Sequence, residues 1–184
     1  MISEFIQETC SALTSYSFAC ELFNWSLRGG NDITFGYHNV ANASYAGEKT
    51  LSYSIFRSIC DNYDIRNLFS RLKSNAKSDG TAFGSSSNVT LDDSRDLKYS
   101  INKCNVQMRV DYNAKENDYS VFVTITDTYD FVNNMAKEAC SLSGLSSGWE
   151  NCAIAVVNDT AALAQANNLI SKFDVTIIVD YKAN

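Results

Sequence analysis

Proline is missing from all 184 residues, so no Pro-rich linker divides the chain and every reverse turn must come from Gly, Asn, Asp or Ser. Histidine occurs once, as His38, and no two cysteines stand in a C-x-x-C spacing, which removes the common structural zinc motifs. Basic residues are scarce: 15 Lys and Arg face 21 Asp and Glu, for a net charge of −6. A protein that tracks a phosphate backbone draws its affinity from clustered cations, so nucleic acid is not an expected partner. No stretch approaches the roughly eighteen apolar residues of a membrane helix. Nucleotide-binding glycine motifs are absent, and the Ser/Gly-rich run Ser141 to Gly148 lacks the G-x-S-x-G elbow of a serine hydrolase. The first cation is Arg28, so Met1 to Leu27 has no basic n-region, and secretion is expected only by a route other than a standard signal peptide.

What remains is a chain with 45% hydrophobic and 20% charged residues, enough for one sizeable core, and residues 1–184 are read as a single globular domain. The six cysteines (Cys10, Cys20, Cys60, Cys104, Cys140 and Cys152) permit a disulfide framework, but they read more simply as buried thiols acting as small hydrophobes. Ile2, Ile6, Thr9, Leu13, Tyr16, Cys20, Phe23 and Leu27 recur at steps of four and three until Gly29-Gly30. That spacing predicts one long amphipathic helix. Asn31 to Gly47 lacks a period and reads as a loop. Ile55 to Tyr63 and Ile65 to Leu72 suggest two helices joined near Asp61 to Asp64, followed by a turn-rich connector from Ser74 to Asn88.

The second half changes period. Cys104, Val106, Met108, Val110 and Tyr112 alternate with polar residues, and after the turn Asn113 to Asp118 so do Tyr119, Val121, Val123 and Ile125. This is a β-hairpin with one buried face. A short strand at Asn88 to Leu91 and a closing strand carrying Phe173, Val175, Ile177, Val179 and Tyr181 extend it, with a late helix capped at Asn158 between them. The expected class is α+β: N-terminal helices (residues 1–77 mainly helical) packed on a twisted antiparallel sheet with a late helix (residues 88–184).

Chemistry is most visible where the second hairpin strand ends, at Thr126-Asp127-Thr128-Tyr129-Asp130-Phe131. Carboxylates three residues apart at a strand end can share a divalent cation or split acid and base roles, or they can cap the turn while Tyr129 and Phe131 pack beneath it. The run Val121 to Phe131, VFVTITDTYDF, resembles the signature strand of colicin M-like bacteriocins and of C-terminal domains of secreted bacterial polymorphic toxins. Asp96 to Ser100 and Asn158 to Phe173 extend the likeness over roughly Asn88 to Tyr181. The resemblance implies a secreted antibacterial effector acting at the periplasm or envelope of a target cell, where the family cleaves the lipid-linked diphosphate precursor of peptidoglycan, lipid II.

The likeness assigns catalysis to Asp127, Tyr129 and Asp130, implies Mg²⁺ held by Asp127 and Asp130, and implies a cognate immunity protein as partner. Lys137 and Arg109 are the candidate cations for a substrate phosphate. The family's His-Arg pair is represented here by Ala136 and Lys137. Two other classes therefore stand beside the hydrolase: a membrane-active, depolarising effector using the Met1 to Leu27 helix, and a non-catalytic immunity or adaptor module.

Overall fold

The computed structural model describes residues 2–40, 46–92, 94–101, 103–131, 135–140 and 148–184. It is an α+β protein built on a six-stranded mixed sheet. The chain forms two compact units, each assembled from three segments: residues 1–31, 94–101 and 128–173 make one, and residues 32–93, 102–127 and 174–184 the other.

The first unit is mainly helical. The long helix expected over the first 27 residues is two, α1 (Ile2–Ala12) and α2 (Ser17–Leu27), separated by a 3-10 turn at Thr14–Tyr16. The break has a specific cause. Asp96, on α5 (Arg95–Ser100), accepts the backbone N–H groups of Phe18 and Ala19 at 3.0 and 2.8 Å, and so creates a helix N-terminus in mid-stripe. Burial holds the Asp96 pKa above the usual carboxylate range despite those bonds, which pull it down. Tyr16 is fully buried there and donates its hydroxyl to Asn151.

The late helix, α7 (Trp149–Ala166), begins well before Asn158. Asn158 is buried within it, and the neighbouring Asp159 accepts the first N–H groups of α6 (Met135–Ala139), from Met135 and Ala136 at 2.9 and 3.1 Å. The expected cap is thus made one residue later and for a different helix. Cys140, just past α6, and Cys152, in the first turn of α7, form a disulfide with their Cα atoms 4.7 Å apart. This corrects the reading of all six cysteines as thiols: two short elements side by side bring one pair within bonding range. Cys20 and Cys104 are buried thiols as expected, and Cys10 hydrogen-bonds to Cys20.

The second unit holds the sheet, ordered β2-β1-β6-β5-β4-β3, apart from a few strand-end residues. Its elements are β1 (Ile33–His38), β2 (Lys49–Thr50), α3 (Tyr53–Asp61), α4 (Tyr63–Asp79), β3 (Thr81–Thr90), β4 (Lys103–Asn113), β5 (Asp118–Tyr129) and β6 (Phe173–Ala183). The β4–β5 hairpin matches the expected alternation, with Val106, Met108 and Val110 opposite Ile125, Val123 and Val121, all buried. The helix pair also falls where expected, with Asn62 at the joint capping α4 and donating to the Thr90 carbonyl at 3.0 Å.

Two parts of this unit depart from expectation. The stretch beginning at Asn31 contains β1, which pairs in parallel with both β2 and β6, so the sheet is mixed rather than antiparallel. Positions 41–45 of that expected loop lie outside the described residues. The expected connector after Ser74 is instead the last turn of α4 followed by β3. Gly84 explains the close fit of these two, since a Cβ there would lie 3.0 Å from the Leu72 side chain and 3.2 Å from that of Leu68.

The disulfide yields a direct expectation. Intact-mass measurement should find the native chain two hydrogens lighter than its reduced form, with four thiols open to alkylation after denaturation. Reductant should lower stability by about 2–3 kcal/mol, the loop-closure value for a bridge of this span. Six alkylated cysteines in the unreduced chain would contradict the bridge.

Candidate functional site

Period-two alternation gives the sheet two unlike faces. Helices α3 and α4 cover the face carrying Val106, Val123, Ile177 and Phe35: Phe56 of α3 stacks on Tyr37 at 4.1 Å, and Phe69 of α4 meets Tyr119 edge-on at 6.0 Å. The other face is open over β3 to β6, and a groove of about 710 Å³ lies on it.

Strand register arranges the groove in transverse rows. Phe83 of β3, Arg109 of β4 and Phe122 of β5 are directly opposite one another, and Ser85, Gln107 and Thr124 form the next row. The first row is aromatic and cationic. Arg109 lies with its guanidinium carbon 4.0 Å from the centre of the Phe122 ring and pairs with Asp111 at 3.2 Å, while Phe83 is 71% exposed. The second row is uncharged, and none of its three side chains makes a hydrogen bond with another described residue.

Ile178 and Asp180 of β6 form the opposite wall, and Asp180 belongs to a buried charge cluster. The Nδ1 of His38 lies 2.6 Å from Asp180 Oδ2, and its Nε2 lies 2.7 Å from Glu48 Oε1. The imidazole is 11% exposed and each carboxylate 3%. Asp180 Oδ1 also accepts the N–H groups of Asn39 and Val40, at 2.7 and 2.5 Å. Register explains the juxtaposition, since His38 and Asp180 are opposite partners in the β1–β6 ladder. Gly36 makes room for the third member: a Cβ there would fall 1.2 Å from Glu48 Oε1. Burial opposes the imidazolium, but the hydrogen bonds and charges of Asp180 and Glu48 outweigh it and raise the His38 pKa.

The sequence candidates are dispersed. Arg109 belongs to the groove. Asp127 is half-buried near the end of β5, where its charge adds to burial in pushing the Cys104 thiol up to about 12. Tyr129, in the other unit, is buried against Phe23, Phe131 and Phe173 with its hydroxyl 3.5 Å from the Tyr99 carbonyl. Asp130 is exposed and pairs with Lys172 at 2.9 Å, and Lys137 is exposed on α6. Among the described residues no three His, Cys, Asp or Glu side chains converge as metal ligands. Ser141 to Ser147 lie outside the described residues.

Phe83, Gln107, Phe122 and Asp180 carry no motif in one dimension. A signal that could have marked one of them is the polar side of the hairpin alternation, where Phe122 stands among Ser120, Thr124 and Thr126. Comparison with protein-family models, curated protein sequences and solved structures finds no match to this chain.

The histidine cluster sets a pH dependence with a definite sign. Because the folded pKa is raised, its contribution to stability is complete below the unfolded value of about 6.5 and is lost as pH rises through the higher folded value. Urea unfolding at successive pH values on either side of 6.5 should show this loss in the native protein and not in His38→Gln. Gly36→Ala, which expels Glu48, should weaken the same dependence; an unchanged profile in both variants would sink the assignment.

Proposed function

We propose that this chain is a binding protein, of the recognition or adaptor kind, whose ligand lies across the open face of β3 to β6. One observation carries the reading: strand register gathers an exposed phenylalanine, a half-buried one stacked with a guanidinium, and a row of unpaired hydroxyl and amide groups into one groove. A solvent-facing strand row gains nothing in folding from exposed phenylalanine, whereas a ligand covering those rings gains their apolar area. The histidine cluster suits a fixed wall better than a catalyst. Both ring nitrogens of His38 are engaged by carboxylates and Asp180 uses both of its oxygens, so the cluster anchors Asn39, Val40 and Glu48 beside the groove.

Aromatic-ring NMR of protein labelled at phenylalanine tests this against panels of uncharged oligosaccharides, nucleotides and short peptides. A ligand of the chain should shift the Phe83 and Phe122 ring signals and leave those of Phe23 and Phe131, in the other unit, in place. Movement confined to the second pair would refute the reading.

A second reading, an antibacterial effector acting at the target-cell envelope, is supported by the VFVTITDTYDF strand alone. On this reading, expression with an added export signal arrests bacterial growth. Asp127→Asn or Asp130→Asn then reduces toxicity on the order of a hundredfold at about 1 kcal/mol cost in stability. Full toxicity in folded Asp127→Asn, Asp130→Asn and Tyr129→Phe variants would dispose of it.

A further inference from the structure

Building on the binding reading above, we infer that the groove takes an uncharged glycan: a short oligosaccharide laid with a pyranose face on the Phe83–Arg109–Phe122 row and its hydroxyls over Ser85, Gln107 and Thr124. The chemistry of the two rows separates this class from the others. A pyranose presents an apolar face of C–H groups and an edge of hydroxyls that both donate and accept. The first row offers apolar rings: Phe83 is largely exposed, and Phe122 is half-buried with the Arg109 guanidinium over one face of its ring. The second row offers two hydroxyls and one amide, each able to donate and accept, and each without a partner among the described residues. Side chains of the two rows are two residues apart along each strand, about 7 Å, and neighbouring strands are about 4.8 Å apart. A ring stacked on the first row therefore has an edge within reach of the second.

Charge decides against the alternatives. Among the described residues that line the groove the one cation is Arg109, and it is paired with Asp111 at 3.2 Å. Its wall carboxylate, Asp180, is committed to His38 and to two backbone N–H groups. No net positive charge is therefore on offer to a phosphate or a uronic acid, and the chain's −6 would repel a polyanion. A nucleobase could stack on the same rings, but its phosphate would find no counter-charge. The volume of about 710 Å³ fits several rings better than one.

The test uses the full chain with cello- and chito-oligosaccharides, mixed-linkage and mannan-derived oligosaccharides, oligogalacturonate and adenosine monophosphate, read by titration calorimetry and phenylalanine-ring NMR. At least one uncharged oligosaccharide should bind, with affinity nearly independent of salt, and shift the Phe83 and Phe122 rings. Phe122→Ala or Phe83→Ala should weaken it tenfold or more and Gln107→Ala several-fold, while circular dichroism and thermal unfolding confirm that the variants fold. Should oligogalacturonate or the nucleotide move those rings while every neutral sugar fails, the face remains a binding site and the glycan assignment is overturned. If neither these probes nor the short peptides move them, both the assignment and the binding reading it rests on are overturned.

Discussion

One-sided cover is the constraint on which the sheet's design turns. With α3 and α4 packed on a single face, each central strand must send its apolar side chains to that face alone, and the period-two pattern of β4, β5 and β6 does so residue by residue. A one-residue slip would turn the whole set toward water, so burial of Val106, Val121, Val123 and Ile177 enforces register more strictly than any hydrogen bond. Register in turn composes the open face. Phe83, Arg109 and Phe122 come from three strands and are neighbours only because the opposite side chains are locked in place.

Charges inside the molecule follow a common rule: each is placed where several donors answer it. Asp96 and Asp159 each accept two helix-terminal N–H groups from distant segments, and Asp180 accepts two backbone N–H groups as well as the imidazole. Such carboxylates satisfy donors that a helix end or a strand end leaves over, which is worth more than the Coulomb energy of an exposed pair such as Lys172 with Asp130. The His38 cluster is the costlier case. Removing one member of a buried charge set leaves the others uncompensated, about 3–5 kcal/mol in comparable sites. Gly36 is what allows the third member to be present, since any side chain there would occupy the space of the Glu48 carboxylate.

The hairpin and the α3–α4 pair are legible in the sequence because their periods run for eight residues or more, long enough to outweigh composition. β1 is not, because its buried set is Ile33 and Phe35 in a segment rich in Asn, Gly and Tyr, and Gly36 reads as a turn residue although it is needed in the strand. β3 is hidden for a similar reason, since small residues, Ala82, Gly84 and Ser86, fill the side on which α4 lies close. The break at Leu13 cannot be read locally at all, since the group that caps the new helix, Asp96, is nearly eighty residues away. Of the groove, only Arg109 was marked in advance, and for a phosphate rather than for a stacked ring.

The two candidate sites differ in how a chain can announce them. Asp127, Tyr129 and Asp130 draw attention because they are adjacent in sequence and break an alternation. In the fold Tyr129 keeps the buried side of the alternation and packs in the aromatic cluster of Phe23, Phe131 and Phe173, and Asp130, next along, is left at the surface with Lys172. A buried tyrosine held among three aromatic rings needs no catalytic role to account for its position. The groove is the reverse case. The side chains of its two rows lie outside the buried core, all are displayed by strands whose register is enforced from the opposite side, and the uncharged row carries hydrogen-bonding groups that the described residues leave unused. Side chains that folding does not explain are where a binding function has to be sought, and on this sheet they lie in two adjacent rows.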